Sequence, residues 1–235
     1  HASSSIIDCL LEEADKYTVE IKIQKEVSTI EKINSEFIIQ LADGEKINAD
    51  FVCIATGGFS KPDQFDWIRK LGHQIENPVP SLFTMNIPQH PITELMGIAV
   101  EDVIIKISGT KLKERGPILI THWGLSGPAV LRLSAWGARI LHDLDYHFSI
   151  QVNWCPEWKP EKIRDLIMDY RQFNGAIFMG SKNPFNIPHR LWQFILKHCG
   201  IDNGTRWSDL PAKAQVQLIE TISNQTFTVK GKTTF

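Results

Sequence analysis

The chain has 235 residues, 43% hydrophobic and 22% charged, with a formal net charge of −2 and a pI near 6.5. It is long enough to bury a core and to divide into two or three units, and its charge balance argues against a general nucleic-acid surface. No apolar run approaches a membrane span and no opening series reads as a signal peptide, so a cytoplasmic protein without a membrane partner is expected.

Taken in order, Ala2 to Lys16 places Ile6, Ile7, Leu10, Leu11 and Ala14 at helical spacing behind a run of serines that can cap. Val19-Glu-Ile21-Lys-Ile23 alternates as a strand, and Lys25 to Ile30 begins another extended stretch. Glu36 to Asp43 reads as a strand that turns back at Asp43-Gly44, a favoured hairpin dipeptide. Phe51-Val-Cys-Ile54 is then an apolar run followed at once by Ala55-Thr56-Gly57-Gly58, the pattern of a buried strand ending in a small-residue turn. Taken alone, that turn is either ordinary chain reversal or a backbone surface that a nucleotide can approach closely.

Gln64 to Leu71 is helical and is closed by Gly72-His73. Pro78 and Pro80 stiffen the next passage, where a domain crossing is expected. From Phe83 to Val152 short β runs alternate with turns, which suits a small barrel or sandwich. Within it, Ser126-Gly127-Pro128 reads as a helix start, with Val130, Leu131 and Leu133 following. That start is either a capped turn fixing a barrel corner or a cofactor-facing site. Gly124-Leu-Ser126-Gly-Pro128 is not a hydrolase elbow, because proline occupies the position of its last glycine.

From Pro156 three short helices are expected: one from Pro160 with Ile163, Leu166, Ile167 and Tyr170 on one face, one over Pro188 to Cys199, and one from Ser208 carrying Val216, Leu218, Ile219 and Ile222. Trp154, Trp158, Trp192 and Trp207 are read as packing for this bundle. Gln225 to Gly231 returns to strand character.

Two passages resemble one family. The hairpin followed by Asp50-Phe-Val-Cys-Ile-Ala-Thr-Gly-Gly58 looks like the second dinucleotide-site motif of flavoproteins with two dinucleotide-binding folds. Thr121-His122-Trp-Gly124-Leu-Ser126-Gly127-Pro128-Ala-Val-Leu-Arg-Leu-Ser134 resembles the "T-H-x-G-L-S-G-P-A-x-L-x-x-S" passage of the HI0933-like family of FAD-dependent, NAD(P)H-linked oxidoreductases. The resemblance implies an α+β architecture: part of an FAD-binding domain over residues 1–80, a small β-barrel-like insert over 81–155, a three-helix lid over 156–224, and a strand over 225–235 returning toward the barrel or FAD domain. It also implies that Val27 offers its backbone to the adenine ring and that Ala55, Thr56, Gly57 and Gly58 approach the FAD. In the intact protein the FAD would take electrons from NAD(P)H and pass them to a small organic acceptor, with no nucleic-acid partner.

The chain departs from the family pattern in three places. It has no G-x-G-x-x-G turn for the pyrophosphate, it runs from Lys61-Pro62 straight into helix where family members carry a glycine-rich loop, and it ends before the "G-G-Y-N" passage. With His in first place rather than Met, it is expected to be the central part of a longer flavoprotein, binding FAD weakly or not at all by itself and inactive alone. A non-catalytic module that recognises a partner through its barrel and helices is the alternative.

Eight histidines show no metal-ligand spacing and no metal site is expected. His122, ahead of the glycine-rich turn, is the one candidate catalytic residue; it would orient substrate or move a proton, and the competing role is a buried histidine that fixes the turn. Cys9, Cys53, Cys155 and Cys199 are widely spaced and read as reduced, buried thiols.

Overall fold

Pro78 ends the first of two units into which the chain divides, His1–Pro78 and Val79–Phe235. The structure, a computed structural model, describes residues 3–234. His1, Phe235 and Ala2, where the first helix was expected to begin, lie outside them.

In the first unit, α1 (Ser3–Lys16) is an amphipathic helix without a buried residue. β1 (Val27–Ile33), β2 (Glu36–Leu41) and β3 (Lys46–Ala49) form an antiparallel sheet in that order. The β2–β3 turn forms at Asp43-Gly44, where the Leu41 carbonyl accepts from the Gly44 N–H at 3.0 Å. A short 3-10 turn, Pro62–Phe65, leads into α2 (Asp66–Lys70).

Two expected strands are absent here. Val19–Ile23 and Phe51–Ile54 are extended or irregular chain outside the sheet, and Phe51 is 91% exposed. A buried strand needs neighbours on both edges to satisfy its N–H and C=O groups, and β1–β3 pair only with one another. The thiols of Cys9, on α1 with no buried residue, and Cys53, on this unpaired stretch, are exposed, contrary to the expectation of four buried cysteines.

The second unit holds a seven-stranded antiparallel sheet built from β4 (Thr84–Asn86), β5 (Ala99–Ile107), β6 (Lys113–Ile120), β7 (Gly124–Ser126), β8 (His147–Asn153), β9 (Gln225–Lys230) and β10 (Lys232–Thr233). Their order is β10-β4-β7-β6-β5-β8-β9. Alternation decides which face is buried: Phe148, Ile150 and Val152 of β8 point the same way as Gln225, Phe227 and Val229 of β9, and the register pairs Phe148 with Val229 and Ile150 with Phe227.

The expected small barrel is a sheet whose ladder stays open, because its two edges, β9 and β10, do not pair with each other. Only Gly231 separates them along the chain. Its N–H donates to the Tyr146 carbonyl at 2.9 Å and its carbonyl accepts from the Asn86 N–H at 3.0 Å, so the break hands the chain from β8 to β4.

α3 (Pro128–Trp136) and α4 (Ala138–Asp143) follow β7, and the buried Val130 and Leu133 of α3 belong to the same core as the sheet. α5 (Pro160–Asn174), α6 (His189–His198) and α7 (Ala212–Asn224) form the helical part. Pro160 occupies the first turn of α5, where its missing N–H is harmless. α6 buries Leu191, Trp192, Ile195 and Leu196. Trp192 stacks on Trp207 with ring centroids 6.0 Å apart, and its Nε1–H donates to the Met179 carbonyl at 2.6 Å. Trp154, Trp192 and Trp207 are buried and Trp158 packs against them, which places the tryptophans in the core.

Candidate functional site

In the first unit, the hairpin and the irregular stretch after it enclose a cavity of about 610 Å³. Its position follows from a bulge: Thr29 pairs with Gln40 and Val27 with Leu41, leaving Ser28 unmatched, and the Ser28 Oγ donates to the Gln40 carbonyl at 2.9 Å. Such a bulge bends the strand end and re-aims its backbone. Val27 therefore lines the cavity together with Ile30 and its cross-strand partner Ile39.

Ala55 and Thr56 line the same space. Gly57 and Gly58 continue from them, outside the lining, with nothing within 4 Å of where a Cβ would stand. Trp67, Phe59, Ser28 and Cys53 also line the cavity and were not foreseen. The β1 bulge and the helix bearing Trp67 are tertiary features without a motif; the nearest signal was the helical pattern of Gln64 to Leu71.

The lining combines small residues, aliphatic side chains, two aromatic residues and a few hydroxyls, which suits a flat heterocycle on a sugar. Its one cation is already engaged. Lys25 is held by Asp43 and by Glu45 at 2.9 Å, and these hydrogen bonds, first Asp43 and then Glu45, raise its pKa; the bond from Lys25 lowers that of Asp43, and the bonds from Lys22 and then Lys25 lower that of Glu45. The residues present fit the adenosine end of FAD, whereas they offer no cradle for its pyrophosphate.

In the second unit, the turn between β6 and β7 is tied by Thr121, whose Oγ1 accepts from the N–H groups of Trp123 and Gly124 at 3.3 and 3.2 Å. His122 is exposed at its tip, its ring tilted 4.5 Å from that of Trp123, itself 50% exposed. His122 is thus not a buried hydrogen-bonded histidine.

The motif behind it serves packing. A Cβ at Gly124 would lie 2.3 Å from the Met85 carbonyl oxygen, so only glycine allows β7 to lie against β4. Ser126 is buried and its Oγ lies 3.1 Å from the Thr84 Oγ1, with no base beside it. Ser134, at the end of the motif, accepts from the Phe83 N–H at 3.1 Å and donates to the Leu131 carbonyl at 2.8 Å. Ser126 is therefore not placed as a nucleophile. Cys155 and Cys199 are no better suited: burial pushes the Cys155 thiol up to about 12 and also raises that of Cys199. No helix among the described residues is long and apolar enough to cross a membrane, and no His, Cys, Asp and Glu cluster among them could hold a metal ion.

Comparison with known proteins agrees with this division. The chain is 33% identical over 146 residues, 57% of its length and 35% of the relative's, to a ribosomal RNA dihydrouridine synthase of Escherichia coli. It is 30% identical over 183 residues, 71% of its length and 45% of the relative's, to a ribosomal RNA dihydrouridine synthase of Haemophilus influenzae. It is 25% identical over 170 residues, 69% of its length and 41% of the relative's, to a 3-dehydro-bile acid delta(4,6)-reductase of Clostridium scindens. These alignments span less than half the length of each relative. The model of the HI0933-like protein barrel and H2TH domain matches residues 79–235, the whole second unit. By that match the chain belongs to the HI0933-like protein family.

Proposed function

We propose that this chain is the central part of a flavoprotein oxidoreductase that passes electrons from NAD(P)H through FAD to a carbon–carbon double bond conjugated with a carbonyl. The observation that carries the reading is the cavity of the first unit, where Val27, Ala55 and Thr56 meet around one space. The names of the relatives support the choice of acceptor. Dihydrouridine is uridine with two hydrogens added across a ring double bond conjugated with a carbonyl, and a delta(4,6)-reductase of a 3-dehydro bile acid saturates a double bond conjugated with the 3-oxo group. By conjugate addition, hydride would go to the carbon of the double bond remote from the carbonyl and a proton to its other carbon.

FAD, when bound, supplies the two-electron chemistry. The chain's residues bind and orient: Val27 through its backbone at the adenine, Ala55, Thr56, Gly57 and Gly58 through close approach, and Ile30, Ile39 and Trp67 by covering the ring from water. His122, exposed in the second unit, is the candidate residue to orient substrate or move a proton.

The test is the visible spectrum of the intact protein purified without added cofactor, followed by anaerobic NADH or NADPH and then a cyclic enone or a uridine-containing RNA. A flavin spectrum that bleaches with the nucleotide and recovers with an acceptor is expected. A colourless protein that cannot be reconstituted with FAD would overturn the reading.

A further inference from the structure

The second unit contains a separate cavity of about 600 Å³ between α6 and the 3-10 turn Pro91–Leu95. Four of its lining residues, Arg190, Phe194, Lys197 and His198, stand at i, i+4, i+7 and i+8 on one face of α6. Across from them are His90 and Glu94.

Three flat rings stand in a row: Phe194 lies 6.2 Å from His90 and 6.3 Å from His198, the latter nearly parallel at 22°. Arg190 spends one guanidinium nitrogen on the Glu94 carbonyl at 3.1 Å, which ties α6 to the 3-10 turn, and its other donors have no hydrogen-bond partner among the described residues. The His90 Nδ1 accepts from the Ile92 N–H at 3.1 Å, so in the neutral ring the proton is on Nε2. That Nε2–H and the Lys197 ammonium have no hydrogen-bond partner among the described residues.

The lining limits the ligand. Bare inorganic anions would leave the rings unused and face the Glu94 and Asp202 carboxylates, and an apolar ligand would strip water from two cations without return. A planar base with a sugar and a phosphate uses every group. Rings stack with the base, cations and the imidazole N–H take the phosphate, and the carboxylates accept from hydroxyls or exocyclic amines.

We propose that this cavity binds a nucleoside monophosphate unit, with its base against Phe194 and His198 and its phosphate on Arg190, Lys197 and the Nε2–H of His90. The unit is supplied either as a free nucleotide or as one residue of a single-stranded RNA. The site is independent of the flavin reading, since it shares no residue with the cavity lined by Val27 and Ala55.

The test titrates the full chain with UMP, AMP, uridine, orthophosphate and a short single-stranded RNA while following the ring protons of His90 and His198 by NMR. Saturable shifts with a nucleotide or with the RNA are expected, with uridine and orthophosphate weaker by about tenfold or more, the effect of losing charge-assisted contacts or stacking. RNA binding tighter than UMP and AMP assigns the strand as the source, and equal or weaker RNA binding assigns the free nucleotide. Lys197→Gln changes an exposed side chain and should weaken binding about tenfold, and Phe194→Leu should do so while keeping apolar volume. The proposal is overturned by no saturable shift with any nucleotide or RNA, by orthophosphate binding as tightly as the nucleotides, or by unchanged affinity in both variants. FAD binding, measured on the same samples, should be the same in wild type and variants.

Discussion

The two units use similar apolar content to opposite ends. In the second, the sheet, α3 and the three helices share one continuous core that includes Phe83, Leu133, Trp192, Trp207 and Phe227. In the first, Leu41 is the one buried apolar residue among those described, while Ile6, Ile7, Leu10 and Leu11 of α1 and Val19, Ile21, Ile23 and Phe51 are exposed. Amphipathic elements of this kind are built to be covered. The second unit therefore carries its own stability, and the first carries surfaces whose packing partners are not among its own strands.

That contrast can be broken most sharply by paired substitutions. Trp192→Ala removes a fully buried ring, its stack on Trp207 and its hydrogen bond to Met179; a loss of about 3–5 kcal/mol is expected in denaturant unfolding. Phe51→Ala, at a nearly fully exposed ring, should stay within about 0.5 kcal/mol. Equal losses would mean that the units are equally packed.

Glycine positions give the next largest difference. Gly124→Ala would drive a methyl into the Met85 carbonyl and is expected to cost about 3 kcal/mol. Gly57, at φ +79°, faces open space, so Gly57→Ala should cost only the backbone penalty, about 1 kcal/mol. Thermal unfolding of both variants reads the difference.

Smaller is Ser126→Ala, which leaves the buried Thr84 hydroxyl without its Ser126 contact; a loss of about 1–2 kcal/mol is expected. A serine-reactive phosphonate should label neither the wild type nor the variant at this position.

Smallest is a pH effect at the α6 cavity. Burial, and then the charge of His198, lowers the His90 pKa below its ordinary value, in a setting that also includes Arg190, Lys197, Glu94 and Asp202. The unfolded chain thus takes up this proton first. Stability from the neutral ring is fully present above about pH 6.5 and is lost as pH falls through the depressed folded value. His90→Asn keeps an acceptor for the Ile92 N–H and should flatten unfolding stability over that window.

Much of the second unit was legible in the sequence because its signals are local. Pro160 and Gly200 punctuate α5 and α6, and the 3.6-residue spacing of Ile163, Ile167, Leu191 and Ile195 marks their buried faces. The helix start at Pro128 likewise needs only its own neighbours. Phe51–Ile54 misled because an apolar run specifies a strand only where other strands receive it, and none in this unit does. The open ladder was hidden as well, since it depends on Gly231 connecting residues far apart in sequence. At the first-unit cavity, Val27, Ala55 and Thr56 were reached through a motif, but Trp67 and the Ser28 bulge are set by pairing that no motif records. The α6 face could be read from spacing alone; its meeting with His90 could not.

The most direct test of the flavin reading is the FAD dissociation constant of the intact protein and of its Ala55→Trp variant, measured by flavin fluorescence. Ala55 is exposed at the cavity wall, so the indole fills space without displacing a core residue. At least about tenfold weaker FAD binding with unchanged thermal stability is expected. Unchanged affinity in the folded variant would contradict it and remove the cavity lined by Val27, Ala55 and Thr56 from the flavin site.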